Sequence, residues 1–425
     1  MRRKSSSLER YMLFFGRQYP LNFAFLVRCP GIFDESRARA TLLKLSARHP
    51  ALFARQEYTV GKQMDMVFEG DIPLLVSYDA AASAEPYPTR EAFMLSHMTR
   101  EFDPFSGPLF SLDWRVTGTG ESASFELCFV FQHGAADGIA ATWIIHDFLS
   151  LYSGTVASLP ECREMPVLYD ILLDDVRAEL LTRPEPDWKK EDPPPPKPFD
   201  LPAYASPDFF VRLFELGPEG TERLAADAKA AGVTVHSFLG ARVLKASSEL
   251  FGPEEGYERT IQCPVDFRQY LKEEYRPLAG VYNGIVKVKV DCTLPLADMA
   301  GRIGDGIKRS RAGLKDIEEY FHFRDSFDNV IDPESLMMGF PPDPMDYDFS
   351  FSNLGRTIIK DAYSGLAVTE FFGPVFTAVS GETVIGLNTT NGSLRMSIIF
   401  DKAIPKADTY RELGNRIAEI LAEYT

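Results

Sequence analysis

At 425 residues the chain is long enough for two domains, each burying its own core. Its 45% hydrophobic and 12% aromatic content is that of a compact folded protein, and no apolar run reaches the length needed to span a bilayer. With 45 basic against 61 acidic side chains, the net charge of −16 argues against nucleic acid as a partner, while an anionic small molecule could still bind at a local basic patch.

The opening Met1-Arg2-Arg3-Lys4 is basic, but Ser5, Ser6, Ser7 and Glu9 follow where a secretory signal needs apolar residues. Residues 22–28 read as a strand, and Asp34 as the cap of a helix that reaches about Ala47 and is closed by Pro50. Residues 72–78 read as a further strand and 90–100 as a surface helix. Phe102, Pro104, Gly107 and Pro108 mark a turn-rich stretch leading into a strand at 111–116. A turn at 118–122 joins that strand to its neighbour.

In this neighbour Phe125, Leu127, Phe129 and Phe131 alternate with Glu126, Cys128, Val130 and Gln132, the period of a largely buried strand. On that parity His133 leaves on the phenylalanine side. Gly134, Ala135 and Ala136 carry almost no side chain, so a substrate or a facing element can approach the imidazole. Asp137 then caps a helix whose apolar positions Ile139, Trp143, Ile144 and Phe148 recur at helical spacing.

Nine prolines lie between Arg183 and Pro207, four of them consecutive, which excludes helix and central strand there. The segment 183–207 therefore reads as a linker between an N-terminal lobe, 1–182, and a C-terminal lobe, 208–425. Beyond it come a strand at 209–215, helices at 217–231 and 235–251, strands at 260–265 and 285–290, and a helix at 296–312. Asn391-Gly392 is a hairpin turn between strands at 383–389 and 393–400, and 411–424 forms a terminal helix. Both halves mix strands and helices in similar proportion, an α/β pattern without repetition of residue identity.

Cys29, Cys128, Cys162, Cys263 and Cys292 are odd in number and widely spaced, which suggests reduced thiols in the cytoplasm and no structural zinc. There is no Gly-x-Ser-x-Gly elbow, phosphate loop or dinucleotide fingerprint, leaving a histidine-centred mechanism or none. Taken alone, His133 is either a strand-end histidine held by a backbone carbonyl or a reactive group. A metal at His133 and Asp137 lacks a third ligand.

The corner Gln132-His133-Gly134-Ala135-Ala136-Asp137-Gly138 resembles the His-His-x-x-x-Asp-Gly signature of the chloramphenicol-acetyltransferase-like superfamily. That superfamily includes condensation domains, alcohol acetyltransferases and polyketide-associated acyltransferases. Leu8-Glu9-Arg10-Tyr11, Arg48-His49-Pro50-Ala51-Leu52, Phe102-Asp103-Pro104, Gly107-Pro108-Leu109, Pro264-Val265-Asp266-Phe267-Arg268 and Ser352-Asn353-Leu354-Gly355 are similar to further family segments, in family order.

The resemblance implies two lobes, each a mixed sheet flanked by helices, with a tunnel between them. It implies an acyltransferase moving an acyl group from a coenzyme A or carrier-protein thioester to an alcohol, with His133 as general base and no covalent acyl-enzyme. The thioester is a co-substrate; no bound cofactor or metal is implied, and a carrier protein is a possible partner. The absence of a carrier or adenylation segment favours a stand-alone enzyme. An amide-forming condensation enzyme acting on an amine, or a non-catalytic member that holds a ligand or carrier protein, are the alternatives.

By the same resemblance Asp137 pairs with Arg268 and holds the corner in shape, although an N-cap alone would also explain it. Gly138 lets the helix begin tightly against the strand. Ser352, Asn353 and Gly355 would face the tunnel, where a hydroxyl or amide could assist an oxyanion; an ordinary strand-end turn is the plainer reading. Gln132 departs from the signature's first histidine. Its parity points it away from His133, where its amide can replace a histidine's hydrogen bond, leaving His133 as the corner's one candidate base. His146 and Asp147 read as packing and surface residues, His236 and His322 as isolated structural or surface residues, and Lys287 and Lys289 as the solvated face of a strand.

Overall fold

The computed structural model describes residues 1–58, 64–68, 74–83, 88–185, 207–252, 257–322, 324, 346–377 and 381–425. Most of the expected linker 183–207 lies outside these residues. The first half runs β1 (Arg2–Lys4), α1 (Ser7–Gln18), β2 (Asn22–Pro30), α2 (Glu35–Arg48), β3 (Arg55–Tyr58), β4 (Met64–Val67), β5 (Val76–Tyr78), α3 (Arg90–Met98), β6 (Phe110–Thr117), β7 (Ser124–Gln132), α4 (Gly138–Ser153) and α5 (Asp174–Leu181). Part of the strand expected at 72–78 is outside the described residues, and β5 is what is described.

The helix starts follow local chemistry. Asp34, Thr89 and Asp137 each accept a hydrogen bond from the backbone N–H three residues on, capping α2, α3 and α4. Helix α1 was not expected, yet it opens on a capping box. Ser6 Oγ accepts from Glu9 N at 3.2 Å, and Glu9 Oε2 accepts from Ser6 N at 2.9 Å. Such a Ser-x-x-Glu pattern was readable in the sequence.

The second half runs β8 (Phe209–Leu216), α6 (Pro218–Ala230), α7 (Val235–Phe251), β9 (Glu258–Asp266), β10 (Asn283–Asp291), α8 (Leu296–Ala312), α9 (Lys315–His322), β11 (Phe349–Arg356), β12 (Ala362–Tyr363), β13 (Leu366–Ala367), β14 (Glu370–Phe376), β15 (Thr383–Thr390), β16 (Ser393–Asp401) and α10 (Ala407–Ala422). A five-stranded sheet has the order β14-β2-β7-β6-β5, and a six-stranded sheet the order β10-β9-β11-β15-β16-β8. The pairs β5–β6, β9–β11 and β11–β15 are parallel while the others are antiparallel, so both large sheets are mixed. Helices flank each, giving an α/β fold of two lobes.

Strand β7 is central and buried on both faces. Phe125, Leu127, Phe129 and Phe131 join the core beneath α2 and α4, whereas Cys128 and Val130 pack toward Phe93 and Met94 of α3. Each buried phenylalanine contributes about 1.5–3 kcal/mol. Helix α4 is buried around most of its circumference, with Ala140, Ala141, Ile145 and Leu149 inside as well as Ile144 and Phe148. The single apolar stripe expected for it was too narrow, because α4 packs on the sheet, beside α2 and against the segment carrying Tyr363.

One strand departs from the expected division into 1–182 and 208–425. β14, late in the chain, pairs with β2 at the edge of the first sheet. Pro374 lacks a ladder donor and falls in the irregularity between Phe372 and Val375, a place that an edge strand tolerates. Ser397 Oγ donates to Pro374 O at 2.8 Å, and Asn388 donates to Gly373 O, tying β14 to β16 and β15 of the second sheet.

Candidate active site

His133 follows the last residue of β7, and its backbone N–H donates to Leu21 O at 2.8 Å. Its imidazole lies edge-on to Phe23, with centroids 5.2 Å apart, and stacks on Phe376 of β14 at 5.6 Å. Nδ1 is buried without a hydrogen-bond partner. Nε2 is neither paired nor sealed, so it is the nitrogen facing a cleft of about 580 Å³ that His133 lines. Burial pushes the His133 pKa below that of an ordinary histidine, while the backbone at His133 and Ala136 and the charge of Asp137 pull the other way. At neutral pH the ring is uncharged and able to take a proton.

The side chain of Gln132 points away from the cleft. Its Nε2 donates to Met12 O of α1 at 2.9 Å, and its Oε1 accepts from Gly134 N at 2.5 Å. The amide thus holds the corner to α1, using both functions of the group.

Asp137 serves as cap and ion-pair partner together. Oδ1 accepts from Ala140 N at 2.8 Å and from Arg268 Nη2 at 2.9 Å, while Oδ2 accepts from Tyr282 N at 2.7 Å. Both oxygens are taken by donors, which leaves the carboxylate badly placed to serve as a metal ligand. Arg268 also donates to Asp266 Oδ1 at 2.8 Å and lies over the rings of Trp143 and Tyr282. Burial alone would lower its pKa, but Asp137 and Asp266 more than offset this, and the guanidinium stays charged. The pair joins α4 to the segment after β9, across the two halves of the chain.

Gly138 also meets the second half of the chain. A Cβ there would lie 2.7 Å from Leu354 Cδ2, so the glycine leaves room for that side chain of β11 at the start of α4. Ser352, Asn353 and Gly355 line the same cleft as His133. Ser352 Oγ has no hydrogen-bond partner among the described residues and its residue lines the cleft. Asn353 Oδ1 instead accepts from Gly355 N at 2.8 Å, and Gly355 has φ +69°, turning the strand at an irregularity before Arg356. Of these three, Ser352 Oγ and Asn353 Nδ2 are the polar side-chain atoms without a partner among the described residues.

His236 also lines the cleft, on the wall formed by α7 and β9. Read as isolated, it instead contacts Cys263 Sγ through Nε2 at 3.3 Å and lies edge-on to Phe351. Desolvation and Arg311 push its pKa down to about 4. Nothing in the one-dimensional pattern marked it, because its position two residues past a helix cap does not say which cavity it faces. His146 bonds Tyr363 Oη at 2.9 Å, and Asp147 holds the buried His49 at 2.8 Å, both packing roles. Asp147 is therefore more buried than a surface residue. Lys287 and Lys289 lie outward, paired with Asp346 and Glu258.

Among the described residues no helix is long and apolar enough to cross a membrane. No protein-family model matches the chain, and no curated protein does. Solved structures do. The trichothecene 15-O-acetyltransferase TRI3 from Fusarium sporotrichioides superposes with TM-score 0.70 at 12% identity, covering 100% of this chain and 95% of that one. Polyketide synthase associated protein 5 from Mycobacterium tuberculosis gives TM-score 0.64 at 17% identity, over 100% and 99%. A variant of the starter condensation domain of rhizomide synthetase, solved with C8-CoA, gives 0.67 at 13%, over 99% and 94%. With two mixed sheets flanked by helices and a cleft lined from both lobes, the chain has the chloramphenicol-acetyltransferase-like fold.

Proposed function

We propose that the chain is an acyltransferase that moves an acyl group from a coenzyme A or carrier-protein thioester to an alcohol, with His133 as general base. The observation that carries this reading is the unpaired Nε2 of a neutral His133, open to a cleft lined by both lobes. With its proton on the buried Nδ1, the ring accepts the hydroxyl proton at Nε2 as the alcohol oxygen attacks the thioester carbonyl. Collapse of the tetrahedral intermediate breaks the carbon–sulfur bond, and the departing thiolate takes that proton from the imidazolium. The histidine is regenerated without an acyl-enzyme.

Ser352 Oγ or the Asn353 amide is the candidate donor to the oxyanion, supported by the lack of a partner for either among the described residues. Asp137 and Arg268 act as positioning residues for the corner. The O-acetyltransferase and the C8-CoA complex among the similar structures support an acyl thioester as donor. In this reading residues 1–182 and 208–425 supply the two walls. The cysteines, none of them in a disulfide, support a reducing compartment such as the cytoplasm.

The test is release of free thiol from acyl-CoA and acyl-N-acetylcysteamine donors in the presence of alcohols and, separately, amines. The parent should release thiol in an alcohol-dependent way, and His133→Ala should lower turnover by about 10²–10⁴-fold. Turnover with amines alone would move the assignment to amide formation. Unchanged turnover in His133→Ala would remove the base, and no turnover in the parent with any donor would make the chain a binding protein.

A further inference from the structure

The two large sheets end in four edge strands, β14, β5, β10 and β8. Strand β5 has three residues, and β14 is tied to the second sheet through Gly373 and Pro374. The backbone of β8 meets α3, where Leu213 N donates to Glu91 Oε1 at 3.3 Å. Strand β10, at nine residues, is the longest of the four. Its pairing with β9 determines which of its backbone groups are in use. Phe267 N donates to Tyr282 O at 3.0 Å and Cys292 N to Tyr257 O at 2.9 Å, one at each end of an unbroken antiparallel register. The even-numbered residues of β10 therefore bond to β9, and Ile285, Lys287 and Lys289 turn N–H and C=O outward. Among the described residues nothing bonds to these outward groups.

A groove of about 450 Å³ runs along this edge, lined by residues 285–289, by Gly306, Arg309 and Ser310 of α8, and by Lys315. A Cβ on Gly306 would lie 2.7 Å from Val288, so the glycine lets α8 pack close on the face of the strand while the edge beside it stays open. The charge of the groove is opposite to that of the molecule. Lys287, Lys289, Arg309 and Lys315 rim it, in a chain whose net charge is −16. Lys287 and Lys289 hold exposed pairs with Asp346 and Glu258, of the kind that contributes little and exchanges readily. Arg309 is exposed, with no ion-pair partner among the described residues.

Lysine on an edge is an ordinary guard against pairing with another strand. Here the guard is selective. A second copy of this chain would bring the same lysines to the same edge, which like charge opposes. A strand with carboxylates at alternate positions reverses the sign, because residues opposite Lys287 and Lys289 share their face of the sheet. We infer that the β10 edge is a docking site for an extended acidic segment of a partner protein, added as a further strand beside β10. Attachment comes from the main-chain ladder at residues 285, 287 and 289, and selection from the lysines. The inference does not rest on the acyltransferase reading, since none of these backbone groups enters the proposed chemistry.

The experiment is a fluorescence-anisotropy titration of the full chain, at low salt, with a labelled heptapeptide of sequence Thr-Glu-Val-Glu-Val-Glu-Thr. It should bind about tenfold more tightly than its counterpart with glutamine for glutamate. N-methylation of one alternate set of its backbone nitrogens should abolish binding, and methylation of the other set should not, because only one edge of the peptide pairs. Lys287→Pro removes an outward N–H without touching the β9 ladder. It should bind the peptide more weakly than Lys287→Ala, with both variants retaining the circular dichroism of the parent. Hydrogen exchange at Ile285, Lys287 and Lys289 should slow in the complex.

Absence of binding at low salt would overturn the inference. So would equal effects of the two N-methylated sets, which would mean charge attraction without a ladder, or equal binding by Lys287→Pro and Lys287→Ala. Dimers of the parent in sedimentation that Lys287→Pro disrupts would assign the edge to a second copy instead.

Discussion

On the wall built from β7 and α4, His133 keeps its Nδ1 buried and turns Nε2 to the cleft; on the wall built from α7 and β9, His236 has Nε2 engaged by Cys263 and turns Nδ1 to the same cleft. The two residues share a type, a cavity and a pKa lowered by burial. They differ in which nitrogen faces that cavity. The difference shows that the neighbour behind a histidine, more than its depth, selects the nitrogen it presents.

The largest expected effect, outside the loss of turnover in His133→Ala, comes from removing the brace under the first wall. Arg268→Leu leaves the Asp137 carboxylate buried with only backbone donors, and should cost about 3–5 kcal/mol in denaturant unfolding. Adding Asp137→Ser, which keeps a cap for α4, should recover part of that cost. If the double variant is no more stable than the single one, the ion pair is not the source of the loss. Among the described residues no comparable charge pair holds His236, so the corresponding packing variants on its wall should cost less.

A smaller effect separates the corner's support from its base. Gln132→Ala removes the bonds to Met12 O and Gly134 N and should destabilise by about 1–3 kcal/mol. Turnover should fall because His133 is held less firmly, while the acid limb of the pH profile keeps its midpoint. Movement of that midpoint would mean that Gln132 tunes the base directly.

The smallest effect is a test of which histidine titrates. Protonation removes the base, so kcat/KM should fall as pH drops through the depressed pKa of His133, with a midpoint below 6.5 and a plateau at neutrality. His236→Asn should leave this midpoint in place, since His236 gains its proton only near pH 4. A midpoint above 6.5, or one that shifts with His236, would break the distinction between the two walls.

Much of the first wall was legible in the sequence because its signals are local. The period-two phenylalanines put His133 at a strand end, Asp137 carried its capping chemistry, and helices expected at 235–251 and 296–312 occur with those bounds. The Asp137–Arg268 pair came from family resemblance, which stands in for distance information that periodicity lacks. The second wall was harder to read. His236 becomes part of the site through β9, Phe351 and Cys263, contacts made between separate segments. The role of Gly138 likewise depends on Leu354, which is remote in sequence. Helix α1 is the exception, missed although its Ser6–Glu9 box is entirely local.

The crossing of β14 into the first sheet makes the two lobes poor modules for exchange. A fragment ending before β14 would leave the long edge of β2 unpaired, a row of backbone groups ready to recruit any other strand. It would also lack Phe376, so the face of His133 that stacks on it would be bare. A chimera that takes its first lobe from one relative and its second from another therefore inherits a mixed sheet and a mixed histidine environment. To transplant this corner intact, residues 370–376 must travel with it.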